Sequence, residues 1–340
     1  MAGIEIAGIG KAGKWPQVCL FHTMCTPTHV GLVLEDQNSK YLCDLTASLG
    51  VERLYQLTCQ ENPAGALEGL FGAISQRNLR KDCVPFGPSI SKVSIEAPID
   101  LGSETEVWGA GVTYEASNSG RNEEVQATSG QQLSETVYDK VRIARAERPE
   151  LFLKATPNRV VGPDLNIHLR KDTKWIIPEP ELGLWINPDR KVVGYTLVND
   201  VSCRDIEGEN PLYLPQAKMF NGSCATGDLV QFGPYDEEEV RQWDITIKVE
   251  RGRTSDSPPG VPFSGQTSIS KMERGFDNLV KFLCRDQTFM HGVILSTGTG
   301  VVPPKEFTLE VGDRVIMSIP QAGIRLENNV LPSTTWFLEG

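Results

Sequence analysis

The sequence predicts an α+β, strand-rich fold in two parts: a smaller N-terminal α/β domain over residues 1–98 and a larger unit over 99–340. Three observations carry this. With 32 Gly and 22 Pro among 340 residues, the chain favours many turns over a helix bundle. Short β-branched apolar runs bounded by polar turns recur along it. In the larger unit one stretch, Gln131 to Glu147, shows clear helical spacing, with Leu133, Val137, Val141 and Ala144 on one side and charged residues on the other.

Taken in order, the N-terminus offers Gly8-Ile-Gly-Lys-Ala-Gly-Lys14, which fits both GxGxxG and GxxxxGK. Both phosphate-binding patterns need a strand before and a helix after. Only Ile4-Glu5-Ile6 precedes this one. Pro16 falls in the first turns of the would-be helix, and Trp15 stands where a Ser or Thr should bind Mg²⁺. The segment reads as a surface turn. Val30–Leu34 and Tyr41–Leu45 read as strands around a polar turn at Glu35–Ser39. Helices are expected within 47–58 and 64–79, and the Pro-containing stretch 84–98 reads as a domain connection. Residues 116–130, rich in Ser, Asn, Gly and Glu, read as a loop or lid ahead of the 131–147 helix. The acidic run Asp236–Glu239 reads as a solvated turn. No repeat of fixed period is present.

Composition excludes several functions. Thirty-three Lys and Arg against 44 Asp and Glu give a formal net charge of −11. That argues against a general binder of nucleic acid or of an anionic membrane, which needs clustered positive charge. A hydrophobic content of 39% supports a buried core and argues against disorder. The first residues lack a basic region followed by a long apolar stretch, so no secretory signal is expected. No run reaches the roughly 18 apolar residues of a membrane helix. Eight Cys without a CxxC, and only four His, disfavour structural zinc. The expectation is a cytoplasmic protein with reduced, mostly buried thiols.

The informative stretch is Trp175 to Asp200. Two apolar runs flank Asn187-Pro-Asp-Arg-Lys191, the pattern of a hairpin. Glu179 and Glu181 are two apart and share a face. A two-residue loop at Asp189-Arg190 would set Glu179 opposite Asp200; a longer loop would shift this by one residue. Either way three carboxylates gather at one end. At about 5 Å, two of them repel by roughly 3 kcal/mol at an effective dielectric near 20. In an apolar setting the trio needs a cation, or some of it stays protonated. An all-oxygen set suits Mg²⁺, with Mn²⁺ or Ca²⁺ as alternatives, over zinc, and three protein oxygens leave about three octahedral positions for water or substrate. Spacing alone leaves open a second arrangement, with both glutamates exposed on the outer face of an edge strand.

With these residues in hand, the chain resembles the fumarylacetoacetate hydrolase family over about residues 110–330. Four ordered motifs carry the resemblance: Pro149-Glu-Leu-Phe-Leu-Lys154, Glu179-x-Glu181, Asn199-Asp-Val-Ser-Cys-Arg-Asp205, and Ser296-Thr-Gly-Thr-Gly300 followed by Gly312-Asp313. Two details, Glu207 to Lys218 and Arg148 to Ala155, are similar to the family's 2-keto-3-deoxy-pentonate dehydratases. The family's C–C hydrolases carry a His on the lid after the first Tyr motif, whereas Tyr114–Glu124 has none.

The resemblance implies a mixed β-roll around one divalent cation, Mg²⁺, held by Glu179, Glu181 and Asp200, in a homodimer or larger homo-oligomer. It implies Lys218 as the active-site lysine, with Arg204 nearby and Glu150 as an acid/base. Lys218, beside a dication and so depressed in pKa, is the candidate base or enolate stabiliser. Thr297 or Thr299 is expected to hydrogen-bond the substrate, a 2-keto acid. Arg121, Ser119 and Gln216 are expected to contact it, Arg121 through its carboxylate. The four His, at 22, 29, 168 and 291, form no pattern. The activity implied is dehydration of a 2-keto-3-deoxy sugar acid, such as 2-keto-3-deoxyarabinonate, to 2-oxoglutarate semialdehyde. The alternative is C–C hydrolysis or decarboxylation of acylpyruvates, fumarylacetoacetate-like diketo acids or oxaloacetate.

Overall fold

The computed structural model describes residues 17–22, 29–35, 40–44, 83–86, 94–96, 105–117, 146–227, 230–232, 236–252 and 259–333. Its strands, in chain order, are β1 (Gln17–His22), β2 (His29–Glu35), β3 (Lys40–Asp44), β4 (Cys83–Phe86), β5 (Ser94–Glu96), β6 (Glu106–Gly111), β7 (Glu150–Ala155), β8 (Val160–Val161), β9 (Asn166–Leu169) and β10 (Ile176–Ile177). They continue as β11 (Pro180–Ile186), β12 (Val192–Asp200), β13 (Ser202–Cys203), β14 (Cys224–Thr226), β15 (Val230–Phe232), β16 (Asp244–Arg251), β17 (Gly260–Ser268), β18 (Val293–Ser296), β19 (Asp313–Ile319) and β20 (Ile324–Pro332). Short helices interrupt them: α1 (Arg204–Glu209), α2 (Leu214–Lys218), α3 (Glu237–Val240) and α4 (Phe276–Leu283).

The strand expectations at 30–34 and 41–45 match β2 and β3, which pair antiparallel. The turn between them, the glycine turn at 8–14, the helices within 47–58 and 64–79, residues 118–130 and nearly all of 131–147 lie outside the described residues. The acidic run is a helix start and not a plain turn. Asp236 Oδ1 accepts from the amides of Glu238 and Glu239, and so caps α3. Glu237 Oε1 accepts from the Phe276 amide and from Arg241 Nε, which ties α3 to α4.

Two sheets form the body. The larger runs β4-β3-β2-β1-β15-β12-β11-β18-β6-β7, with β14, β8 and β5 attached at its margins. The N-terminal strands continue this sheet through β1, which pairs with β15. The second runs β17-β16-β19-β20-β9. Burial alternates along β19, where Val315, Met317 and Ile319 are enclosed, and along β20, where Ile324, Leu326 and Val330 are. This period-two pattern turns one face of the second sheet onto the first. β16 packs against β11, and β20 against β12. Every residue of β11 is therefore buried, and every residue of β12 after Val192. Helix α4 adds Phe276, Leu279, Val280 and Leu283, spaced to share one stripe. Of the Gly312-Asp313 pair, Asp313 serves the fold. It is fully enclosed and accepts from Arg251 Nε and Nη2, both at 2.7 Å.

Gly183 sits at the centre of β11, and a Cβ there would lie 2.8 Å from Val198 Cγ2 and 2.9 Å from Thr196 Cγ2. Gly183→Val is therefore expected to cost about 1–3 kcal/mol through overpacking. Denaturant unfolding checks this; an unchanged midpoint would contradict such close packing.

Candidate metal centre

The site begins with a turn. Arg190 N donates to Asn187 O, Asn187 N donates to Lys191 O, and Arg190 has a left-handed φ of 65°. The loop is thus the three residues Pro188–Arg190, a type I turn closed by a left-handed residue, and not the expected two-residue loop. Even so, Glu179 faces Asp200. Trp185 pairs with Gly194 but Ile186 with Val192, so Val193 is an extra, bulged residue that takes up the longer loop. Beyond it the pairs run regularly to Pro180–Asn199, and Asp200 N donates to Glu179 O at 2.9 Å.

Register and burial bring the three acids together. Glu179, Glu181 and Asp200 are all buried, and a ligand oxygen from each lies within 4.8 Å of the other two. The arrangement with both glutamates exposed on an edge strand is thereby overturned. At that spacing each pair repels by about 3 kcal/mol at an effective dielectric near 20.

The protein answers the charge unevenly. Burial raises the Glu179 pKa, but Arg204 and Lys218 outweigh it and hold the carboxyl well below its usual range. Arg204 Nη2 donates to Oε1 at 2.7 Å; Lys218 Nζ and Ser202 Oγ donate to Oε2 at 2.6 and 2.5 Å. Glu181 is left on the other side of the balance. Burial, then the charges of Asp200 and Glu179, push it up to about 8, against a hydrogen bond from Ser296. Its Oε2 accepts from Ser296 Oγ at 2.6 Å and from the Gly298 amide at 2.7 Å. A carboxylate this short of positive charge, in an all-oxygen trio, suits a hard divalent cation.

Two lysines and a fourth acid complete the cluster. Lys218, at the end of α2, is buried and reaches Glu179, Asp200 Oδ2 (3.1 Å) and Ser202 Oγ (2.6 Å), with the Phe152 ring 5.4 Å away. Burial lowers its pKa, but the Asp200, Glu179 and Glu207 carboxylates prevail and raise it above the lysine norm. The surrounding acids favour the ammonium, whereas the expected depression rests on the dication beside it. Glu207 on α1 is also buried, 3.5 Å from Arg204 Nη1 and 3.7 Å from Lys218 Nζ. Lys154 Nζ meets Asp200 Oδ1 at 2.5 Å.

A cleft of about 320 Å³, counting its open mouth, runs past these groups. Its lining includes Phe152, the three acids, Arg204 and Lys218, with Gly111, Gly298 and Thr299 on the wall. Glu150 opens β7 opposite Gly111, and its carboxylate lies against that cleft-lining glycine, where a Cβ would fall 2.3 Å from Oε1; Glu150 is not itself among the lining residues. Thr299 faces the cleft, but Thr297 is a correction: its hydroxyl and amide both donate to Leu182 O at 2.9 Å, pinning the glycine loop to β11. Gln216 is a second correction, since it is exposed on α2 and outside the cleft lining. Ser119 and Arg121 lie outside the described residues. Lys154, Ser202, Glu207 and Ser296 stand within the family motifs, but the sequence assigns them no role. The signals for them were that membership and, for Lys154, a lone lysine inside an apolar strand. Among the described residues Cys203, Cys224 and Cys284 are free, buried thiols. No helix there is long and apolar enough to cross a membrane.

Comparison with known proteins agrees with this geometry. A family model described as fumarylacetoacetate (FAA) hydrolase C-terminal matches residues 106–331. The chain is 40% identical to a 2-dehydro-3-deoxy-D-arabinonate dehydratase of Saccharolobus solfataricus, over 69% of this chain and 74% of that protein. It is 41% identical to a probable 2-keto-3-deoxyxylonate dehydratase of Haloferax volcanii, over 68% and 73%. A solved 2-keto-3-deoxy-D-arabinonate dehydratase, complexed with magnesium and 2,5-dioxopentanoate, superposes with a TM-score of 0.67 and 29% identity, covering 94% of this chain and all of that one.

Gly298 has a φ of 93°, and a Cβ there would fall 2.0 Å from Thr113 Oγ1 and 2.9 Å from Ala110 O. Gly298→Ala is expected to cost about 1–3 kcal/mol and to displace the amide that holds Glu181. A thermal melt together with a Mg²⁺ titration reads both effects; a wild-type result in both would contradict a role for the Gly298 amide in holding Glu181.

Proposed function

The chain belongs to the fumarylacetoacetate hydrolase family, and from that premise we propose that it dehydrates a 2-keto-3-deoxy sugar acid in a Mg²⁺-dependent reaction. The substrate is a pentonate such as 2-keto-3-deoxyarabinonate, and the product is 2,5-dioxopentanoate, the semialdehyde of 2-oxoglutarate. The observation that carries this reading is the buried trio Glu179, Glu181 and Asp200 beside Lys218 and Arg204 at one cleft. The dehydratase relatives supply the reaction class. We place the activity in cytoplasmic sugar-acid catabolism, a reading supported by the free, buried thiols.

Charge supports a monoanionic substrate. Among the described buried groups, Glu179, Glu181, Asp200 and Glu207 face Lys154, Lys218 and Arg204, one negative charge in excess. A divalent cation and one substrate carboxylate bring the cluster to neutrality.

Glu179, Glu181 and Asp200 would hold the Mg²⁺. When bound there, the ion supplies Lewis acidity toward the 2-keto group and so acidifies the C3 protons. Glu150, at the cleft wall, takes a C3 proton. Lys218 remains an ammonium and offsets the negative charge that grows on the C2 oxygen as the C3–H bond breaks. Arg204 keeps Glu179 ionised and in place. The C4 hydroxyl departs as water with one added proton. Transfer of a proton from C5 to C3 and of the enol hydroxyl proton to C4 then leaves an aldehyde at C5. Thr299 and Gly298 line the cleft wall that such a substrate would meet. No water nucleophile is consumed, in keeping with the absence of a His from Tyr114–Glu124.

A product-resolved assay tests this against a panel of 2-keto-3-deoxy-pentonates and acylpyruvates, with and without EDTA. 2,5-Dioxopentanoate is expected from a pentonate with Mg²⁺, and Glu181→Ala is expected to abolish it. Activity that survives EDTA, or pyruvate released from acylpyruvates alone, would sink the proposal.

A further inference from the structure

Lys154 lies near the end of β7 with no exposed surface. Enclosing an ammonium so fully is costly unless its protons meet acceptors. Two do, the Val201 carbonyl at 2.9 Å and the Lys218 carbonyl at 2.7 Å, and the charge itself is paired with Asp200 Oδ1 at 2.5 Å. The backbone departs from regular pairing to deliver the side chain there. Trp108 pairs with Leu153 and Val107 with Ala155, so Lys154 is the extra residue of a β-bulge. Bulges re-aim side chains and recur beside active sites.

We infer that Lys154 is a positioning residue that locks the metal ligand Asp200 and the active-site Lys218 at one spacing. It grips the side chain of the first and the backbone of the second. Asp200 is thereby held through both oxygens, Oδ1 by Lys154 and Oδ2 by Lys218 at 3.1 Å. Lys154 is not among the residues lining the cleft, so it acts on the chemistry through these two neighbours. The inference rests on the metal-site reading above.

A purely electrostatic role makes the opposite forecast. Removing a positive charge beside a ligand would tighten the binding of a dication. Positioning forecasts weaker binding, because an unheld carboxylate must be ordered when the ion arrives.

The test titrates Mg²⁺ by calorimetry into the EDTA-stripped full chain, comparing wild type with Lys154→Met, which keeps length and removes charge. The folded variant is expected to bind Mg²⁺ about 10- to 100-fold more weakly. At saturating Mg²⁺ its kcat is expected to fall at least about tenfold, on the scale of a misplaced catalytic group. Affinity equal to or tighter than wild type overturns the inference. A wild type that binds no Mg²⁺ sinks the metal-site reading instead. If the variant does not fold, ¹⁵N-lysine-labelled wild type carries the test. The Lys154 ammonium signal, identified through its coupling to the Val201 and Lys218 carbonyls, moves on Mg²⁺ saturation. A signal that stays in place overturns the inference.

Discussion

Like charges crowded into an enclosed space govern this molecule. Glu179, Glu181 and Asp200 bring carboxylate oxygens within 4.8 Å of one another, almost wholly buried in the wall of the cleft. Each pairwise repulsion is a few kcal/mol, comparable to a sizeable share of a domain's net stability. The chain therefore surrounds the acids with Lys154, Lys218 and Arg204 and with hydroxyl and amide donors. The cover is unequal. Glu179 receives a guanidinium and an ammonium, while Glu181 receives a serine and a backbone amide. That asymmetry depresses one carboxyl and raises the other. A divalent ion held by these three acids would offset it, and a 2-keto acid is a class of ligand whose oxygens suit such an ion.

The architecture supplies rigidity for this. β11 and β12 lie in the middle of the larger sheet and under the second one, so the strands that carry the acids have no freedom to slide. A slip of one residue would turn Glu179 and Glu181 to the opposite face. Two bulges tune the result. Val193 absorbs an extra loop residue on the hairpin, and Lys154 leaves the ladder of β6 and β7 to reach Asp200. Gly298, with its left-handed backbone, lets an amide approach Glu181 where a side chain would strike Thr113. Lysine and acid thus meet across β7, β12 and α2, elements far apart in sequence.

Much of this was legible before any coordinates. Glu179-x-Glu181 announces a shared face, and the apolar runs around it announce a hairpin. The ordered motifs carry the family, and with it Asp200, Lys218 and Arg204. What stayed hidden has a common cause. Bulges do not show in a run such as Lys191-Val-Val-Gly194, so loop length alone gave the wrong turn and could not decide the register. The same blindness concealed the role of Lys154, which closes a family motif but shows no sign of the bulge that turns it toward Asp200. Thr297 and Thr299 are equivalent in sequence, yet pairing with Leu182 turns the first into a structural tie and leaves the second facing the cleft. Lys218 invites a depressed pKa from the dication expected beside it. The acids around it, Asp200, Glu179 and Glu207, pull the other way, and their number is a property of the fold.

The account stands or falls on one ion at one place. Anomalous diffraction from crystals soaked in Mn²⁺, taken as a stand-in for Mg²⁺, tests this most directly. The expected result is a single strong peak at coordination distance, about 2.2 Å, from oxygens of Glu179, Glu181 and Asp200. No peak there at saturating Mn²⁺, or one seated on other side chains, would contradict the reading.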